Sequence, residues 1–100
     1  MLAHRTALVT GAASGIGRAI ALAYARAGAT VVVSDLDATG GEQTVALIRA
    51  AGGDAIFVAT DVASPEANEA LVARAVEHYG ALHIACNNAG IGGEMAPTAD

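Results

Sequence analysis

The sequence predicts an α/β fold built on a parallel sheet, and three observations carry that expectation. Short apolar or β-branched runs alternate with longer stretches of helical period, in the order strand-helix-strand-helix-strand-helix-strand. Such alternation argues a parallel sheet with right-handed crossovers. The first strand and first helix are joined by a glycine-rich turn, Gly11 to Gly17. Glycine also stands just past the expected end of each helix, where it commonly closes one.

Taken in order, Arg5 to Thr10 reads as a strand centred on Ala7-Leu8-Val9. An alanine-rich helix follows over about Gly15 to Ala27. Ile16, Ile20 and Tyr24 recur on one face, and Arg18 and Arg26 lie off it. Gly28 ends this helix. Thr30 to Ser34 is β-branched and reads as a buried strand. The second helix spans roughly Thr39 to Ala51, with Val45 and Ile48 inward and Gly52-Gly53 as its stop. Ala55 to Thr60 is the third strand. Ser64 is a good N-cap and Pro65 suits the first helical position, where no N–H is needed. The third helix runs to Tyr79 with Val72, Val76 and Tyr79 at helical spacing, and Gly80 closes it. Leu82 to Cys86 is the fourth strand, and Ala89 to Asp100 reads as loop.

Composition narrows the function classes. One hundred residues suit one small domain, and 54% of them are apolar, enough for a core of Ala, Val, Leu and Ile. The formal charge is −5 and the five basic residues are scattered arginines, so a nucleic-acid partner, which needs a basic stripe, is not expected. Cys86, alone in the sequence, reads as a buried structural thiol. His4, His78 and His83 lack zinc-ligand spacing, so no metal is expected. No segment approaches the roughly 20 apolar residues of a membrane span, and no leader pattern is present. The expectation is a soluble cytoplasmic protein with no membrane partner.

Four stations carry chemistry, each at the end of a strand. Thr10-Gly11-Ala12-Ala13-Ser14-Gly15-Ile16-Gly17 lies between a strand and a helix. There, glycines let the backbone approach a pyrophosphate, and the helix start offers free N–H groups and a positive dipole end. The spacing is Gly-x-x-x-Gly-x-Gly rather than the commoner Gly-x-Gly-x-x-Gly. Asp35, ending the second strand 18 residues after Gly17, can accept hydrogen bonds from both hydroxyls of an adenosine ribose. Asp37 reads as a solvated loop carboxylate. Asp61 and Val62 stand where an adenine ring would then lie. Asn87-Asn88-Ala89-Gly90 suits a sharp turn whose backbone passes close to a ligand.

Together these stations resemble the short-chain dehydrogenase/reductase family across essentially the whole chain. The resemblance implies a Rossmann-type doubly wound parallel sheet with strand order 3-2-1-4. The first two helices would cover one face and the third the other. It also implies that residues 1–100 are the N-terminal, cofactor-binding part of a single domain whose later strands and helices are absent. By that resemblance Gly11, Ser14, Gly15, Ile16 and Gly17 form the phosphate turn, with Ser14 and Ile16 lining the pyrophosphate. Asp35 takes the ribose diol and Leu36 flanks the adenine. Asp61 and Val62 hold adenine, and Asn88, Ala89 and Gly90 sit by the ribose nearer nicotinamide.

The implied activity is hydride transfer between NAD(H) and a secondary alcohol or ketone, with NAD preferred over NADP because of Asp35. The implied assembly is a homo-oligomer, usually a tetramer. The family's catalytic Tyr-x-x-x-Lys pair cannot exist here. Tyr24 is followed four residues on by Gly28 and Tyr79 by His83, and the chain has no lysine. No catalytic residue is therefore assigned, and the expectation is a piece of a longer enzyme. The alternatives are a non-catalytic NAD- or adenylate-binding module and a lyase or epimerase of the family's extended branch.

Overall fold

A computed structural model describes residues 4–61 and 64–86. In chain order they form β1 (Thr6–Thr10), α1 (Gly15–Arg26), β2 (Thr30–Asp35), α2 (Ala38–Ala50), β3 (Ala55–Ala59), α3 (Pro65–Tyr79) and β4 (Ile84–Cys86). The strands make one sheet in the order β3-β2-β1-β4, and every pairing is parallel. This is the Rossmann-type order expected from the sequence.

The apolar runs became strands because both faces of the sheet are covered. Every residue of β1 is buried, as are Val31, Val32, Val33 and Ser34 of β2. The pleat divides them. Val9, Val31, Val33 and Ala55 pack with Ala21 of α1 and Val45 and Ile48 of α2. Leu8 and Val32 pack on the opposite face with Leu71 and Ala75 of α3. The first two helices thus cover one face and the third covers the other. Ile48 and Leu71 are the largest fully buried side chains, each a burial worth roughly 1.5–3 kcal/mol.

Three local expectations are corrected. In α1 the inward positions are Gly17 and Ala21, with Ile20 and Tyr24 at the margin, while Ile16 is 73% exposed. Ile16 stands in the first turn, and the small pair at i and i+4 brings the helix close to the sheet. In α3 the inward stripe is Leu71 and Ala75; Val72 and Val76, each one position on, are over 40% exposed. A step of one residue turns a helical side chain about 100° around the axis, enough to move it off the buried face.

β4 begins at Ile84 rather than Leu82. Leu82 packs against the α3-side core, and His83 still joins the ladder: its N–H donates to Thr6 O at 3.0 Å, and its Nδ1 accepts Thr6 N–H at 3.0 Å. Gly80, at φ +85°, closes α3 in the left-handed conformation its position requires. Cys86 is half-buried rather than fully buried, is in no disulfide, and packs on the α1–α2 side of the core.

Candidate functional site: the glycine turn and the carboxyl ends of the strands

In an open parallel α/β sheet, ligands bind outside the carboxyl ends of the strands, at the point where strand order reverses. Here that point lies between β1 and β4, and the glycine turn leaves β1 beside it. Gly11 and Gly15 take φ of +64° and +60°, a backbone that side chains rarely adopt. A Cβ placed on Gly15 would meet nothing within 4 Å, so the turn is open on that side.

The three helices start differently. The Asp37 side chain caps α2 by accepting Gly40 N–H at 3.0 Å, and Ser64 Oγ caps α3 by accepting Ala67 N–H at 3.2 Å. Ser14 is the N-cap of α1 and makes no such bond. The first backbone bond of α1 runs from Arg18 N–H to Ser14 O at 3.3 Å, so the amides of Gly15, Ile16 and Gly17 precede the helical ladder. Asp37 is exposed, as expected of a solvated carboxylate, but it is also the helix cap of α2, a role the Asp-x-x-Gly spacing to Gly40 could have shown.

Asp35 joins the turn to the next two loops. Its Oδ2 accepts Ala13 N–H and its Oδ1 accepts Asp37 N–H, both at 3.0 Å. Its backbone carbonyl accepts Thr60 N–H at 3.2 Å, and Ser34 O accepts Ala12 N–H at 3.1 Å. The glycine turn, the end of β2 and the segment after β3 are thus tied together at one edge of the sheet.

The structure places the expected residues as follows. Gly11 is half-buried and Gly17 buried, while Ser14, Gly15 and Ile16 are exposed at the start of α1. Asp35 is half-buried, Leu36 beside it is 71% exposed, and Asp61 is exposed, its carbonyl accepting Ser64 N–H at 3.0 Å. Val62, Asn88, Ala89 and Gly90 lie outside the described residues, as does the expected loop from Ala89 to Asp100.

The sequence reading missed Arg18 and Thr44. Arg18 does not lie free off the packed face. Its Nε donates to Thr44 Oγ1 at 2.9 Å, and its Nη2 donates to Ala13 O, to Gly40 O at 3.0 Å and to Gln43 Oε1 at 3.2 Å. Nothing in the local sequence marks this, because three of the four partners, Gly40, Gln43 and Thr44, come from α2, more than 20 residues away. Among the described residues no group of three or more His, Cys, Asp or Glu could hold a metal, and no helix is long and apolar enough to cross a membrane. A separate cleft of about 180 Å³ between the carboxyl ends of α1 and α2 is lined mainly by Leu22, Ala25, Leu47 and Ile48.

A parallel sheet of this order, with a glycine turn at its reversal and an acidic residue ending the second strand, defines a dinucleotide-binding class of α/β protein. The sequence matches the short chain dehydrogenase family over residues 5–100, and the chain belongs to that family. It is 46% identical over 95 residues to a cyclohexanol dehydrogenase of Acinetobacter sp., covering 95% of this chain and 38% of that protein. It is 49% identical over 86 residues to a 3beta-hydroxysteroid dehydrogenase of Mediterraneibacter gnavus, covering 86% of this chain and 31% of the relative. The crystal structure of a hydroxysteroid dehydrogenase from Escherichia coli superposes with a TM-score of 0.88 at 41% identity, covering 92% of this chain and 39% of that one. The chain therefore spans between 31% and 39% of the length of these relatives.

Proposed function

We propose that residues 1–100 are the cofactor-binding half of an NAD-dependent dehydrogenase that moves a hydride between NAD(H) and a secondary alcohol or ketone. The observation that carries this reading is the bond from Ala13 N–H to Asp35 Oδ2. It joins the proposed phosphate turn and the proposed ribose-reading carboxylate in one unit. When bound, the nicotinamide would supply the hydride acceptor. The uncapped start of α1, with Gly11, Ser14, Gly15, Ile16 and Gly17, would hold the pyrophosphate. Asp35 would accept the ribose hydroxyls, and Leu36, Asp61 and Val62 would bound the adenine. Asn88, Ala89 and Gly90 would stand by the second ribose. The reading carries with it a cytoplasmic homo-oligomer of the family's tetrameric kind.

Asp35 sets the cofactor preference in this reading. A 2′-phosphate against its carboxylate would meet like charge, about 4 kcal/mol per unit-charge pair at ~4 Å and an effective dielectric of ~20. The expected result is faster turnover of NADH than NADPH by the full-length protein, measured as kcat/KM for each; the reverse order would overturn the assignment. The 100 residues by themselves hold no lysine and no Tyr-x-x-x-Lys pair. They should therefore reduce no NAD with any secondary alcohol above a buffer blank, since general acid–base catalysis alone is worth ~10²–10⁴ in rate.

A further inference from the structure

The two residues between Gly11 and Ser14 are Ala12 and Ala13, both buried, and both of their carbonyls are held from behind. Thr44 Oγ1 donates to Ala12 O at 2.7 Å, and the Arg18 guanidinium donates to Ala13 O. The same guanidinium donates to Thr44 Oγ1 and Gly40 O, so α1, the turn and the start of α2 share one network. The peptide bonds here are trans. In a trans peptide the C=O and the next residue's N–H point in opposite directions across one rigid plane. Holding Ala12 O therefore aims Ala13 N–H, which meets Asp35. Holding Ala13 O aims Ser14 N–H away from Arg18.

We propose that Arg18, acting with Thr44, is a positioning residue for the dinucleotide. It fixes the Ala13–Ser14 peptide plane so that an N–H, not a carbonyl, faces the pyrophosphate, without touching the cofactor itself. The inference rests on the reading that a pyrophosphate sits on this turn. It adds a residue from outside the turn to that site and gives Thr44, on a different helix, a share in it. The planar fork of arginine matters because one side chain must reach a hydroxyl and two carbonyls at once, which a single ammonium cannot do with the same geometry. All the oxygens it meets belong to neutral groups, so its charge also adds to the positive end of α1.

The test is NADH binding by the full-length protein, followed by cofactor fluorescence, with steady-state kinetics alongside. Arg18→Ala should raise the Kd and KM for NADH by about tenfold or more, the scale of losing charge-assisted hydrogen bonds to buried carbonyls, while kcat falls far less. Arg18→Lys should recover only part of the loss. Thr44→Val should weaken binding in the same direction, and the double variant should lose less than the product of the two single effects, because both act on one network. Thr44→Val carries the same comparison if Arg18→Ala does not fold. A Kd unchanged by these substitutions in a protein that binds NADH would overturn the inference and leave the functional reading standing. A fall in kcat with unchanged KM would overturn it too. An unmodified protein that binds no NADH would overturn both.

Discussion

Asp35 has two tasks at one position, and this shapes what its substitution does. Its two carboxylate oxygens already accept N–H groups from Ala13 and Asp37, so the side chain holds the turn before any ligand arrives. Asp35→Ala should narrow the preference for NAD over NADP, but it should also weaken NAD binding beyond the loss of the ribose contact, because the turn loses its brace. Comparing Kd values for NADH and NADPH in both proteins tests this; a gain of NADPH affinity with NADH affinity intact would show that the brace does not matter. A second residue-scale expectation concerns Tyr79. Burial, reinforced by the Asp54 carboxylate and opposed by Arg49, pushes its phenol from 10.0 up to about 12. The buried hydroxyl has no partner of good hydrogen-bonding geometry, so Asp54 acts mainly through its charge. The unfolded chain ionises near pH 10 while the folded one holds its proton. Stability is therefore fully present below pH 10 and is lost as pH rises from 10 toward 12. Denaturant midpoints across that window should fall for the unmodified chain and fall less for Tyr79→Phe.

At the scale of elements, the helix starts separate structural from functional ends. Asp37→Ala removes the side-chain cap of α2 and should cost about 1 kcal/mol in denaturant unfolding, whereas Ser14→Ala at the uncapped start of α1 should change stability little. Equal losses at the two positions would argue against this division. The same elements show what the sequence could reveal. The strands were readable because a strand buried on both faces is a continuous apolar run, as in Thr30 to Ser34, and the helix ends because Gly28, Gly52 and Gly80 follow them. Of the site, the glycine turn and Asp35 were legible because spacing places them together. Val72 and Val76 were misplaced because helical spacing alone does not say which of two adjacent apolar stripes meets the sheet; Leu71 and Ala75 were equally well spaced. Arg18 was not legible at all. A long side chain at the edge of a helix face takes its direction from what packs beside it, and only the docking of α2 brings Thr44 and Gly40 within its reach.

At the scale of the whole molecule, the sheet has two edges, β3 and β4, each paired on one side among the described residues. β1 and β2 each pair on both sides, whereas β4 pairs with β1 alone among the described residues. Its three residues are exposed or half-exposed, and α3, which among the described residues is the one helix on the sheet face with Leu8 and Val32, presents Val72 and Val76 outward. A strand paired on one side only is a template for pairing with another chain. A domain of this size also has a small stability margin, because it buries a smaller fraction of its surface than a larger one. The formal charge of −5 opposes association, but salt screens that repulsion within about 10 Å at 0.1 M. The 100-residue chain should therefore self-associate, more strongly as salt is raised, and bind NAD weakly. Sedimentation of the purified chain across salt concentrations, with chemical denaturation alongside, reads both terms. A chain that stays monomeric at all salt concentrations and unfolds in one sharp transition above roughly 5 kcal/mol would show that the β4 edge and the outer face of α3 need no cover.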